Sequence, residues 1–135
     1  MKWKAMTFNL RVNVDSDGPN AWPLRVAAVA RTILRHKADI VCVQEGLYSM
    51  LRDLDPSLGH YGWIGEGRRG GFEDEFCAIL YDKNKWRVEG GETGKPIDYI
   101  FASPDVAIER IEVDRGKYEG LYPSDHYPVC AVLSK

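Results

Sequence analysis

The run Ala38-Asp39-Ile40-Val41-Cys42-Val43-Gln44-Glu45 decides the fold. Its apolar centre, Ile40 to Val43, has no polar break, which marks a strand covered on both faces. The run stops abruptly at an amide and a carboxylate, Gln44 and Glu45. Upstream, Pro23 suits the first turn of a helix. Val26, Val29, Ala30 and Ile33 give that helix one apolar face as far as His36, with Arg25, Arg31 and Arg35 off the stripe. Before it, Met6, Phe8 and Leu10 alternate within a strand over 3–12. Strand, helix and strand in this order predict a right-handed crossover with the helix lying over a sheet.

Downstream the chain turns to strands. A short helix over 47–54 is closed by Pro56, and strands are predicted over 61–65, 75–81, 97–101, 106–113 and 127–133. Residues 86–88 read as a short continuation, and the glycines of 89–95 as a turn. The glycine-rich loop 65–71 holds Arg68 and Arg69. The polar loop 13–20, with Asp15, Asp17, Gly18 and Pro19, is turn chemistry; it lacks the spaced ligands of a calcium loop. The late hairpins imply antiparallel pairing. The class is α+β, a mixed β-sheet core flanked by helices.

A chain of 135 residues reads as one domain over 1–135. Such a chain buries roughly two-thirds of its unfolded surface, enough for a layered core. A net charge of −2 excludes strong general affinity for polyanions, so a phosphate contact must come from a local arginine cluster. No apolar run approaches the ~20 residues of a membrane span, and the first residues lead into a strand pattern; a cytoplasmic location is expected. Cys42, Cys77 and Cys130 have no CxxC spacing and read as small hydrophobes within strands.

The chemistry gathers at strand ends. Asn9, Glu45, Asp98 and Asp125 each lie in or at the end of an apolar strand, where ligand sites of open sheets form. Taken singly, each has an ordinary role: a strand-end amide, a helix-capping acid, a partner for a lysine or arginine, a turn. Taken together, three carboxylates and an amide make an oxygen-rich site suited to Mg²⁺ or Mn²⁺, not zinc. In Tyr122-Pro123-Ser124-Asp125-His126-Tyr127-Pro128, two prolines restrict the backbone around an acid and an imidazole. His126 suits general acid–base chemistry, oriented by Asp98 or Asp125. Arg68 and Arg69 either grip a phosphate or form a solvated loop, and Glu75 beside them is placed to position one of them.

These blocks together resemble the endonuclease/exonuclease/phosphatase family. Met6-Thr7-Phe8-Asn9-Leu10-Arg11 is similar to its first strand, and the run ending in Gln44-Glu45 to its second. Glu75-Phe76-Cys77-Ala78-Ile79-Leu80-Tyr81, Ile97-Asp98-Tyr99-Ile100-Phe101 and Ser124-Asp125-His126 resemble the later blocks, in the family's order. The resemblance implies phosphoester hydrolysis with Glu45 as main Mg²⁺ ligand and Asn9 beside the metal and phosphate. It further implies His126 at the phosphate with Asp98 orienting its ring, and Asp125 completing the metal's surroundings. It implies a two-sheet sandwich, here reduced. The family's central segment, with an Asn-x-His-x-Asp and a Gly-Asp-x-Asn block, has no counterpart between Val88 and Ile97. Impaired turnover follows from that loss, or a catalytically incomplete module that binds metal and phosphate. A homodimer would rebuild the missing layer. The substrate is a phosphate ester, with nucleic acid, sugar phosphates and lipid headgroups all open.

Overall fold

The computed structural model describes residues 2–86, 107–124 and 128–134. Six strands make one sheet among them: β1 Lys2–Asn9, β2 Ile40–Gly46, β3 Tyr61–Ile64, β4 Phe76–Asp82, β5 Ala107–Val113 and β6 Val129–Ser134. Their spatial order is β3-β4-β2-β1-β6-β5. The helices are α1, Trp22–His36, and α2, Tyr48–Leu54.

Helix α1 crosses from β1 to β2, so these two strands are parallel, with Met6 opposite Val41 and Phe8 opposite Val43. Every other pairing in the sheet is antiparallel. The mixed α+β class expected from the chain is therefore the one observed. The strand expected over 97–101 lies outside the described residues, and the described ones form a single sheet.

Alternation builds the core. Met6, Phe8, Val41, Val43, Ala78 and Leu80 point from one face of the sheet and are at most 3% exposed. They meet Val29 and Ile33 of α1 and Met50, Leu51 and Leu54 of α2 in one cluster. Burying each large apolar side chain contributes about 1.5–3 kcal/mol. On the other face of β2, Ile40 and Cys42 are half-buried, and Trp3 meets Trp86 edge to face at 5.5 Å. Helix α1 stops where Lys37 takes a left-handed conformation, φ 49°. In the loop ahead of α1, Asp15–Asn20 forms two short 3-10 turns joined by a kink at Gly18, φ 52°. No disulfide joins the cysteines, and burial pushes the Cys130 thiol up to about 12. No helix among the described residues is long and apolar enough to cross a membrane.

One reading of α1 needs correction. Arg25 was expected off the buried stripe, yet it is 1% exposed. Its guanidinium donates to the carbonyls of Leu10, Arg11, Asn20 and Pro123. The loops folded over α1 bury it, which helical periodicity does not report.

Candidate metal and phosphate site at one end of the sheet

Parallel β1 and β2 end together, and antiparallel β4 and β6 begin at that same end. Asn9 closes β1 and is the register partner of Gln44. Strict alternation would aim Glu45 into the apolar layer with Val41 and Val43. The strand avoids this. Its register shifts between Val43 and Gly46, and Glu45 itself takes φ 56°. A bulge of this kind re-aims a side chain, and a left-handed backbone costs a non-glycine residue about 1–2 kcal/mol.

Turned this way, the Glu45 carboxylate meets the loop that follows β1. Asn9 Nδ2 donates to Glu45 Oε1 at 2.9 Å, and the Val12 amide donates to Oε2 at 3.2 Å. The Arg11 amide donates to Asn9 Oδ1 at 2.9 Å, which fixes the orientation of the Asn9 amide. Arg11 is also left-handed, φ 56°. Its guanidinium forks onto Asp17, Nε to Oδ2 at 3.1 Å and Nη2 to Oδ1 at 3.0 Å. That bond holds the Asp17 carboxyl below its usual range. Gln44 Nε2 donates to Thr7 Oγ1 at 3.1 Å and to the Cys42 carbonyl at 3.2 Å.

Across β2, Gly46 pairs with Phe76, which brings the glycine-rich loop to the same end of the sheet. The loop is folded tightly: a Cβ on Gly67 would lie 1.9 Å from the Glu73 carbonyl oxygen. Arg68 Nη2 reaches Glu75 Oε2 at 3.0 Å, and Arg69 Nε lies 3.4 Å from Asp74 Oδ2. Both arginines pair with acids of their own hairpin while keeping most of their side-chain surface in solvent.

The structure thus brings Asn9 and Glu45 into contact and places Arg68, Arg69 and Glu75 at the same sheet end. Asp98, Asp125 and His126 lie outside the described residues. Among the described residues, no three of His, Cys, Asp and Glu converge as a metal cage. The groups that meet are the Glu45 carboxylate and the Asn9 Nδ2 that donates to it; the carboxylate oxygens are hard donors of the kind Mg²⁺ or Mn²⁺ takes. Arg25 went unnoticed in the sequence as part of this region. By holding Leu10, Arg11 and Pro123 together, it ties the loop after Asn9 to the residue two before Asp125. An arginine two residues after a helix-starting proline, following a turn-rich loop, was the signal available.

No curated protein matches the sequence. An endonuclease/exonuclease/phosphatase from Bacteroides vulgatus is 25% identical, over 84% of this chain and 36% of its own, with a TM-score of 0.61. A family protein from Bacteroides thetaiotaomicron is 18% identical over 98% of this chain and 95% of its own, with a TM-score of 0.82. A mannosyl-6-phosphatase from Bacteroides thetaiotaomicron is 24% identical, over 82% of this chain and 35% of its own, with a TM-score of 0.58. The chain therefore spans about a third of the first and third of these structures. The model of the Endonuclease/Exonuclease/phosphatase family matches residues 6–92. Over most of its length, and with its strand-end amide and acid in contact, the chain belongs to the endonuclease/exonuclease/phosphatase family.

Proposed function

We propose that the chain hydrolyses phosphoesters with the help of Mg²⁺ or Mn²⁺ bound at Glu45. The observation that carries this reading is the Asn9–Glu45 hydrogen bond of 2.9 Å, made by a glutamate whose backbone is bent to deliver it. A strained residue at a strand end is a common mark of a functional position. Family membership supports the same class of reaction.

In this reading Glu45 supplies an anionic oxygen, and Asn9 and the Val12 amide hold its carboxylate in one orientation. A bound divalent ion would polarise the phosphate and stabilise charge on its oxygens. Asn9 stands where its amide can also face a phosphate oxygen. Arg68 and Arg69 offer guanidinium groups at the same end of the sheet. Their partners Glu75 and Asp74 hold them there until an anion competes for them. His126 is the acid–base candidate, with Asp98 as its orienting partner and Asp125 as a second metal ligand. Lacking the Gly-Asp-x-Asn block, the chain is expected to turn over slowly.

The test is hydrolysis of p-nitrophenyl phosphate and bis-(p-nitrophenyl) phosphate with Mg²⁺ or Mn²⁺, beside calorimetric metal titration. Glu45→Ala should abolish metal binding and cut the rate at least about a hundredfold. Metal-dependent hydrolysis that survives this substitution unchanged rejects the site. Metal binding without hydrolysis would leave the chain a metal- and phosphate-binding module.

A further inference from the structure

Two peptide units just after β1 face the Asn9–Glu45 pair with one end and Arg25 with the other. The Arg11 amide donates to Asn9 Oδ1 at 2.9 Å, and the carbonyl of that same peptide, from Leu10, accepts from Arg25 Nη1 at 2.8 Å. The Val12 amide donates to Glu45 Oε2 at 3.2 Å, and the carbonyl of its peptide, from Arg11, accepts from Arg25 Nη2 at 3.0 Å. In a trans peptide the N–H and the C=O point in opposite directions. Each unit is thus gripped at both ends. The residue between them, Arg11, sets the angle from one plane to the next, and it is left-handed, φ 56°.

Arg25 occupies an unfavourable place for a cation. It is 1% exposed and stands in the first turn of α1, where the helix dipole opposes positive charge. Its own surroundings hold it still. The Trp22 ring centroid lies 5.6 Å from its Cζ, and the Trp22 indole donates to Asp53 Oδ2 at 2.9 Å. Arg25 Nε donates to the Asn20 carbonyl, and Nη1 also donates to the Pro123 carbonyl. A fixed guanidinium does two things to the peptides it grips. It locks their planes, and its charge polarises each carbonyl, so that the N–H at the far end becomes a stronger donor. Both effects arrive at Asn9 and Glu45.

We propose that Arg25 is a positioning residue for the candidate site: through the 10–11 and 11–12 peptides it sets the orientation of the Asn9 amide and the Glu45 carboxylate. Its consequence for hydrolysis rests on the reading of Glu45 as the metal ligand, while the relay itself is tested without metal. Nuclear magnetic resonance of the metal-free protein gives the readout. In Arg25→Lys the amide protons of Arg11 and Val12 should move upfield, as their hydrogen bonds weaken, while those of Trp63 and Leu80 in the distant strands stay in place. In Glu45→Gln, where Arg25 is intact, the Arg25 guanidinium resonances should shift. Calorimetric titration with Mg²⁺ should show an affinity about 10–100-fold lower in folded Arg25→Lys than in the wild type. A residue that served stability alone would move none of these signals in folded protein. Unchanged Arg11 and Val12 resonances in folded Arg25→Lys, or an Arg25 guanidinium unmoved in Glu45→Gln, overturn the proposal. If Arg25→Lys does not fold, the Glu45→Gln spectrum decides alone. Shifted resonances in a chain that binds neither Mg²⁺ nor Mn²⁺ sink the metal reading of Glu45 and keep the relay. Mg²⁺ binding that needs Glu45 but is as tight in Arg25→Lys as in the wild type does the reverse.

Discussion

His36 Nε2 lies 2.8 Å from Asp114 Oδ2, and both side chains are 6% exposed. The contact joins the last turn of α1 to the residue that follows β5. Arg35 reaches the same Asp114 oxygen, and the Gly116 amide donates to the other at 2.8 Å. The Asp114 amide in turn donates to the Pro128 carbonyl at 2.9 Å. One residue, through its carboxylate and its amide, therefore holds the helix, the end of one strand and the approach to another.

Burial alone would raise the Asp114 carboxyl, but the Arg35 guanidinium, the Gly116 amide and His36 outweigh it and hold the group below its ordinary value. A depressed acid stabilises the fold above the unfolded value of about 4, and loses that contribution as pH falls through the lower folded value. Stability should thus decline below about pH 4. Asp114→Asn should cost about 1–2 kcal/mol at neutral pH, since Arg35 is half in water, and should flatten the acid decline. Urea melts between neutral and acid pH check this. An unchanged acid slope in the variant assigns the decline to other groups.

Arg25 should be the least replaceable charged residue of α1. Arg25→Met leaves carbonyls of Leu10, Arg11, Asn20 and Pro123 without their donor. A loss of about 3–5 kcal/mol is expected. Arg25→Lys should recover little, because an ammonium lacks the planar fork that reaches several carbonyls at once. Chemical denaturation of both variants measures it, and a lysine variant of wild-type stability would contradict the geometry.

Asn9→Asp should convert the strand-end pair into two acids in contact. The metal-free protein should melt lower, because like charges at this distance repel. Added Mg²⁺ should raise the melting temperature more than it does in the wild type. Asn9→Ala should weaken metal affinity about 10–100-fold by releasing the Glu45 carboxylate. Thermal melts with and without Mg²⁺ decide both points.

Glu45 offers a separate test of its backbone. Glycine adopts positive φ without steric cost, so Glu45→Gly should be more stable than Glu45→Ala by about 1 kcal/mol. Equal stability of the two variants would show that the bend at this position is not strained.

Much of the sheet could be read in the chain because its residues obey a simple period. Val41 and Val43 belong to an apolar run, Met6 and Phe8 alternate, and both pairs enter the core as their spacing requires. The Gln44-Glu45 end of β2 was legible as an abrupt change of polarity. The bend that aims Glu45 was not, since no glycine marks the left-handed position. Arg25 and Asp114 escaped for another reason. Their burial comes from loops distant in sequence closing over them, and periodicity is blind to such wrapping. His36 likewise looked unremarkable until its acid partner arrived from the far end of the chain.

The pairing of β1 with β6 sets the timetable of folding. Lys2 is registered with Ser134 and Thr7 with Val129, so the inner strand that is made early waits for one made late. Until β6 is synthesised, β1 keeps an open hydrogen-bonding edge beside an apolar layer, a template for pairing with other nascent chains. Contacts of such long sequence separation also slow the search for the native state. That edge of β1 closes only when β6 pairs with it.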